Sequence, residues 1–186
     1  MSTIYLVRHG EADYSGLLEH HFFGFGRDFA PLSEKGIEQA EEAAQDQRIK
    51  SADIIISSPY TRALQTAQII SKNTGITVKV ELGLHEWIPD LSNQYTTSAE
   101  AFRLAEEFVN FKGVYPPGMN KQWETLDHMR RRMKNVADKY TEHATIILVG
   151  HGMALRTIAY IEQMNPAEII ECTYEIGQKE CDYSFF

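Results

Sequence analysis

Three short, almost continuously apolar segments limit the folds open to this chain. They run from Thr3 to Val7, from Asp53 to Ile56 and from Thr145 to Val149. Segments of this kind are typical of strands buried on both faces of a sheet. Between and after them, apolar residues recur at the three- and four-residue spacing of amphipathic helices. These residues are Ile37, Ala40 and Ala44 after Ser33, Ala63, Ala67 and Ile70 after Pro59, and Leu126, Met129, Met133, Val136, Ala137 and Tyr140 after Trp123.

The alternation of strand and helix predicts an α/β fold, a three-layer α/β/α sandwich around a mostly parallel sheet. A last helix is predicted after Gly152, with Leu155, Ile158 and Ala159 on its apolar face. The chain has 186 residues, and domains average about 150. We therefore expect a single domain over residues 1–186.

Two segments, 11–31 and 88–122, do not follow the alternation, and we expect them to be insertions that form a small cap over the site. The second contains a helical pattern at Leu104, Phe108 and Phe111, followed by a Pro-Pro-Gly turn signal. Both carry aromatic side chains, which we expect to pack within the cap or to line a substrate entrance. These are Phe22, Phe23, Phe25, Tyr95, Phe102, Phe108, Phe111 and Tyr115.

Composition excludes several classes of protein. With 43% hydrophobic and 24% charged residues, the chain is typical of a globular protein and not of a disordered one. Its net charge of −8 argues against a nucleic-acid partner. No run approaches the ~20 apolar residues of a membrane helix, and the first residues lack the pattern of a signal peptide. We expect a cytoplasmic protein without a membrane partner.

The tail, residues 171–186, mixes strand-forming residues with Gly177, which predicts edge strands. Such an edge leaves open both a homodimer and an edge covered by the same chain. Cys172 and Cys181 also lie in the tail. A close pair in a cytosolic chain is expected to be reduced, and these two match no metal motif.

Charged and titratable residues follow the apolar segments. Arg8 and His9 follow the first, Arg62 comes soon after the second, and His151 follows the third. In a doubly wound sheet, ligands bind outside the carboxyl ends of the strands. We therefore expect these four side chains to converge.

The helix expected to carry Arg62 adds to the predicted attraction for anions. Ser58 is predicted to cap this helix and Pro59 to be its first residue, so that Arg62 lies beside backbone N–H groups. Two guanidinium groups can hold a phosphoryl group. A neutral imidazole can attack phosphorus when its other nitrogen is fixed as a donor. The pattern indicates phosphoryl chemistry.

Five segments, in order, resemble the histidine phosphatase superfamily, also called phosphoglycerate mutase-like proteins. The first is Leu6-Val7-Arg8-His9-Gly10-Glu11, which is similar to the Arg-His-Gly signature of the family. The others are Pro31 to Ala40, Ser57 to Ala67, Leu84-His85-Glu86, and Gly150 to Arg156. The resemblance covers residues 4–158, and it implies the phosphoglycerate mutase-like fold.

The resemblance also implies roles for the matched residues. His9 would be phosphorylated, and Glu86 would be the general acid and base. The phosphoryl group would be bound by Arg8, Arg62 and His151, and by Ser15, which stands where the family often has asparagine. Neither a metal nor a cofactor is implied. Arg156 is expected to support the last helix.

These roles favour a metal-independent phosphatase that hydrolyses a small phosphomonoester through phospho-His9. The expected partner is thus a small-molecule phosphate ester. A phosphoglycerate mutase is one alternative, although the stretch between Glu86 and His151 is short for that branch of the family. A catalytically silent phosphate- or phosphoprotein-binding module is another. Binding alone would need the arginines but not His9 and Glu86.

Overall fold

The computed structural model describes residues 1–20, 22 and 24–184, with the backbone alone at Leu18. Five strands form one sheet: β1 (Ser2–Arg8), β2 (Ile54–Ser57), β3 (Val78–Val80), β4 (Thr145–Gly150) and β5 (Ile169–Tyr174). Their order across the sheet is β3-β2-β4-β1-β5. The first four are parallel, and β5 runs antiparallel to β1 at one edge.

Helices connect these strands: α1 (Ser15–Glu19), α2 (Glu34–Ala43), α3 (Thr61–Thr74), α4 (Ser98–Asn110), α5 (Leu126–Lys139) and α6 (Gly152–Leu155). Short 3₁₀ helices span Gly24–Phe29 and Leu82–Leu84. Within the described ranges, no helix is long and apolar enough to cross a membrane.

The sheet has an apolar core on each face, because successive strand residues point to opposite sides. Ile4 of β1 is buried on one face in the same core as Met133 of α5. Val7 is buried on the other face with Ala63 of α3. Helices therefore cover both faces, which confirms the predicted α/β/α sandwich and its mostly parallel sheet.

Several element boundaries differ from the prediction. Helix α3 begins at Thr61, because the backbone remains extended through Tyr60. The prediction that Ser58 caps this helix and that Pro59 is its first residue was wrong. The hydroxyl of Ser58 instead bonds with His151 and accepts a 3.3 Å bond from the Tyr60 N–H. The sequence analysis also missed β3, a three-residue strand without a fully buried residue.

Smaller differences lie on the helix faces and in the tail. Ile37 is 40% exposed, because α2 packs through the small residues Gly36, Ala40 and Ala43. Helix α6 ends at Leu155, so Ile158 and Ala159 lie beyond it. In the tail, β5 provides the predicted edge strand. Phe23, named in the sequence analysis, and residues 185–186 of the tail lie outside the described residues.

Candidate active site

Strands β1 and β4 are parallel neighbours, and a histidine follows each of them. His9 comes directly after β1 and His151 directly after β4, and both are buried. Their ring centroids are 5.1 Å apart. The convergence expected at the carboxyl ends of these strands is therefore present.

A contact between two backbone segments fixes the loop that follows His9. A Cβ atom built on Gly10 would lie 2.3 Å from the Gly36 carbonyl oxygen, and one built on Gly36 would lie 2.0 Å from the Glu11 carbonyl oxygen. Only glycine permits so close an approach at these positions. The loop therefore lies directly against the first turn of α2.

Hydrogen bonds define the tautomer of His9. Its Nδ1 lies 2.7 Å from the Gly10 carbonyl oxygen, which only accepts, so Nδ1 carries the proton. Arg62 Nε donates to His9 Nε2 over 3.1 Å. Burial, together with the positive charge of Arg62, lowers the pKa of His9 to about 3. The ring is therefore neutral near pH 7, with a lone pair on Nε2.

The guanidinium of Arg62 lies between the two histidines. Its Nη2 is 3.3 Å from His151 Nδ1, and its side chain is buried. Since arginine only donates, Nδ1 of His151 accepts here, and Nε2 donates to Ser58 Oγ over 2.7 Å. Burial holds the pKa of His151 well below its ordinary value. The Ser58 hydroxyl can also donate, so it is compatible with the other tautomer of His151.

Arg8 and Arg62 supply positive charge to this site. Among the described residues, neither Arg8 nor Arg62 forms a salt bridge. Arg8 Nη1 donates a hydrogen bond to the Met164 carbonyl oxygen over 2.6 Å. The buried Nε of Arg8 has no hydrogen-bond partner within the described part of the chain. Buried charges of this kind favour an anionic ligand.

Glu86 faces the same space from the loop after the second 3₁₀ helix. Its carboxylate accepts bonds from three backbone N–H groups, those of Trp87, Met153 and Ala154, over 2.8–3.1 Å. These contacts join the Glu86 loop to the segment that follows His151. Both carboxylate oxygens are thereby held in place.

A buried ion pair holds the Glu86 loop from behind. Arg132 of α5 donates to both carboxylate oxygens of Glu124, over 2.7 and 2.8 Å. It also donates to the carbonyl oxygens of Gly83, His85 and Glu86. Burial alone would raise the pKa of Glu124, but Arg132 and His128 hold it below its ordinary value. The pair therefore remains charged and anchors the loop.

Two adjoining cavities open at this end of the sheet. The first, here named the histidine cavity, has a volume of about 290 Å³ and is lined by Arg8, His9, Tyr14, Arg62, Glu86, Gly152, Met153, Arg156 and Met164. The second, named the aromatic cavity, has a volume of about 260 Å³. Its walls include Asp28 and the aromatic side chains Tyr14, Phe25, Tyr60, Trp87, Tyr95 and Phe102. Tyr14, Arg62 and Glu86 belong to both cavities.

The structure thus brings together His9, His151, Arg8, Arg62 and Glu86. Ser15 is exposed at the start of α1 and lines neither cavity. Arg156 donates to the Glu162 carbonyl oxygen and also lines the histidine cavity, beyond the supporting role expected for it. Asp28 and Tyr60 were missed. Tyr60 lies within a family-like segment, whereas nothing in the sequence around Asp28 distinguishes it.

The sequence analysis identified no metal motif, and the described residues contain no group of three or more His, Cys, Asp or Glu side chains arranged to hold a metal ion. The ionisable side chains near His9 are mainly arginines, which repel cations. This donor set fits an anion.

Comparison with known proteins identifies related sequences. A family model, the histidine phosphatase superfamily (branch 1), matches residues 4–176. A protein named "probable phosphoglycerate mutase GpmB" from Proteus mirabilis is 33% identical over 165 residues, covering 83% of this chain and 72% of that protein. A Bacillus subtilis protein named "uncharacterized phosphatase PhoE" is 28% identical over 158 residues, covering 85% and 76%.

Solved structures share the fold. The mycobacterial glucosyl-3-phosphoglycerate phosphatase gives a TM-score of 0.66 at 23% identity, covering 92% of this chain and 90% of that one. The phosphoserine phosphatase of Entamoeba histolytica gives 0.57 at 27% identity, covering 83% and 76%. With the family model matching most of the sequence, the chain belongs to the histidine phosphatase superfamily.

Proposed function

We propose that this protein is a metal-independent phosphatase that hydrolyses a small phosphomonoester through a phosphohistidine on His9. The observation that carries the proposal is the hydrogen bonding of the His9 ring. Nδ1 is held as a donor by the Gly10 carbonyl, so the lone pair lies on Nε2, where it accepts from Arg62 Nε. It becomes available to phosphorus when the Arg62 guanidinium binds the phosphoryl oxygens instead. A neutral imidazole fixed in this way is a nucleophile.

In the first step, His9 Nε2 attacks phosphorus, and the P–O bond to the leaving group breaks. Arg8 and Arg62 bind the phosphoryl oxygens, and protonated Glu86 gives its proton to the leaving oxygen. In the second step, Glu86 accepts a proton from water, which attacks the phosphohistidine. The N–P bond breaks, and inorganic phosphate leaves. Fixed charges around the transferred group stabilise both transition states.

The role of His151 in this mechanism depends on which of its ring nitrogens carries the proton. With a phosphoryl group between Arg62 and His151, a ring protonated at Nδ1 would donate to a phosphoryl oxygen and accept from the Ser58 hydroxyl at Nε2. Both groups of the His151–Ser58 pair can act as donor or acceptor, and they lie 2.7 Å apart.

The test is hydrolysis of p-nitrophenyl phosphate with excess EDTA between about pH 5 and pH 8. We expect His9→Ala to fall to the background rate, and Glu86→Gln to lose about 10²–10⁴-fold, as expected when a general acid is removed. His143→Ala is the matched control, because His143 precedes β4 at the end of the sheet away from the cavities. A His9→Ala protein that keeps its rate would refute the proposal.

Two other outcomes would identify the alternatives. Phosphorus NMR can follow the fate of 3-phosphoglycerate. Isomerisation without release of inorganic phosphate would identify a mutase. Relatives that carry the mutase name make this experiment worthwhile. Tight binding of phosphate esters without any turnover by the parent would identify a binding module.

A further inference from the structure

The aromatic cavity adjoins the histidine cavity and shares three wall residues with it. An ester whose phosphoryl group contacts Arg62 therefore has its organic part beside the aromatic cavity. The chemistry of these walls determines which organic groups bind well. This reasoning rests on the proposed function, because it places the phosphoryl group at His9.

The walls of the aromatic cavity are largely apolar, and they come from both insertions. Segment 11–31 contributes Phe25, and segment 88–122 contributes Tyr95 and Phe102. Phe25 is 58% exposed and Phe102 is 74% exposed. Aromatic side chains exposed at a cavity favour a flat, apolar ligand that covers them from water.

One carboxylate faces this apolar space apart from Glu86. Asp28 is half-buried, and the Tyr60 hydroxyl bonds to it. Burial raises the pKa of Asp28 to about 6, against the lowering effects of Tyr60, Arg62 and Arg27. Near pH 7 it is thus ionised in a poorly solvated place, where a neutral donor stabilises it and a second anion is repelled.

Arg27, the residue before Asp28, also lines the aromatic cavity, where its guanidinium contacts Tyr14 and Ser98. The guanidinium of Arg27 lies 4.5 Å from the centre of the Tyr14 ring and donates to Ser98 Oγ over 3.0 Å. These contacts orient Arg27 towards α1 and α4. Among the described residues, Arg27 forms no salt bridge with Asp28. A carboxylate on the organic part of the ester that approaches Asp28 is therefore repelled by the unpaired Asp28 carboxylate.

We propose that the aromatic cavity selects monophosphates of aromatic alcohols that carry an uncharged hydroxyl or N–H donor, and that Asp28 is the specificity-determining residue that accepts from this donor. Esters with a second anionic group, phosphoglycerates among them, are poor substrates. The aromatic ring lies against Phe25 and Phe102, and the donor lies towards Asp28.

The experiment compares two aryl phosphates that differ in one substituent, 4-(2-hydroxyethyl)phenyl phosphate and 4-(2-carboxyethyl)phenyl phosphate. Their phenol leaving groups are similar, so a difference in kcat/KM reports recognition of the substituent. We expect the parent to prefer the hydroxyl ester by at least ~10-fold, the discrimination typical of one hydrogen bond to a charged group. Asp28→Asn should reduce this preference to less than ~3-fold.

A second variant tests the aromatic wall independently of Asp28. Phe102→Ala should lower kcat/KM for phenyl phosphate at least ~5-fold through loss of apolar contact, and leave that for glycerol 2-phosphate unchanged. Phe111→Ala is the matched control, since this partly exposed aromatic residue follows α4 but does not line the cavity. Equal effects of the two substitutions, or an unchanged hydroxyl preference in Asp28→Asn, would overturn the specificity proposal.

Binding separates this proposal from the proposed function. Dissociation constants of the two aryl phosphates are measured by calorimetry on His9→Ala, with and without Asp28→Asn. A preference for the hydroxyl ester that depends on Asp28, in a parent without turnover, would support the specificity of the cavity and refute the phosphatase. Turnover of every ester at similar kcat/KM, with similar dissociation constants, would support the phosphatase and refute the specificity of the cavity.

Discussion

At the scale of single residues, the site is defined by two neutral histidines on either side of a buried cation. Arg62 bonds to both rings, so neither ring can gain a proton without placing two positive charges side by side. Burial and the charge of Arg62 therefore keep the His9 ring neutral at neutral pH, the form that the proposed mechanism requires. Among the described residues, no carboxylate bonds to His9.

This arrangement makes stability depend on pH. The pKa of His9 is about 3 in the folded protein against an ordinary 6.5. Between these values the unfolded chain binds more protons, so the free energy of unfolding falls as pH drops, by ~1.4 kcal/mol per pH unit for this group. His9→Gln should reduce this slope between about pH 6 and pH 4.5 in urea unfolding.

The comparison isolates His9, because the other charged groups that face it, Arg8 and Arg62, and the neighbouring His151 are present in both proteins. If stability depends on pH equally in the parent and in His9→Gln, the pKa of His9 is not lowered in the folded protein.

Single-residue reasoning from the sequence identified the side chains that follow strands, because β1 and β4 bring His9 and His151 together by simple parallel pairing. It failed for Asp28. That residue lies in the 3₁₀ helix Gly24–Phe29, within a segment that shows no clear hydrophobic period, and it contacts Tyr60, which is distant in the sequence. No local periodicity encodes such a contact.

At the scale of elements, the loop with Glu86 depends on α5. Arg132→Met would remove the arginine partner of the buried Glu124 carboxylate, whose remaining side-chain partner is His128, and would free three carbonyl groups of the loop. We expect a loss of about 3–5 kcal/mol in urea unfolding, and a fall in kcat that exceeds any change in KM. The reason is that Glu86, the proposed general acid, is displaced, while Arg8 and Arg62, the proposed phosphate ligands, remain in place.

Arg131→Met is the control for this prediction. Arg131 is the next residue of α5 and pairs with Asp127 in an exposed salt bridge, so its loss should cost less than about 1 kcal/mol. Similar losses for the two variants would mean that the buried pair does not anchor the loop.

The contact of α2 with the His9 loop gives a second element-scale prediction. Gly36→Ala places a methyl group against the Glu11 backbone, and we expect a loss of about 1–3 kcal/mol from overpacking, with reduced kcat. Gly16→Ala on α1 has open space around its Cβ. It should leave stability equal or higher, because alanine favours helix. An unchanged free energy of unfolding for Gly36→Ala in the same urea titration would contradict the close contact.

The sequence predicted an element well where a single hydrophobic period determines which of its residues are buried, and poorly elsewhere. Helix α5 follows its apolar stripe closely, with Met129, Met133 and Val136 buried as expected. Strand β3 has no such signal, since its position depends on pairing with β2. The start of α3 was misjudged because Ser58 bonds to a histidine far away in the sequence.

At the scale of the whole molecule, the sheet order joins the two ends of the chain. Strand β1 pairs with β4 and β5, so Ile4 lies opposite Ile146 on one side and Cys172 on the other. We expect a fragment of residues 1–144, which lacks both partners, to show no cooperative urea unfolding by circular dichroism. Adding a fragment of residues 145–184 should restore it. Cooperative unfolding of the shorter fragment alone would contradict this.

The same order has a consequence for how the protein is made. During synthesis, β1 is made well before β4 and β5, which are its neighbours in the sheet. The chain therefore carries His9 next to an unpaired strand until β4 has been made, a topology that favours slow assembly. We expect no nascent chain that ends before β4 to transfer phosphate. If His9 is the nucleophile, as proposed, phosphatase activity appears only after β4 and the histidine that follows it have been synthesised.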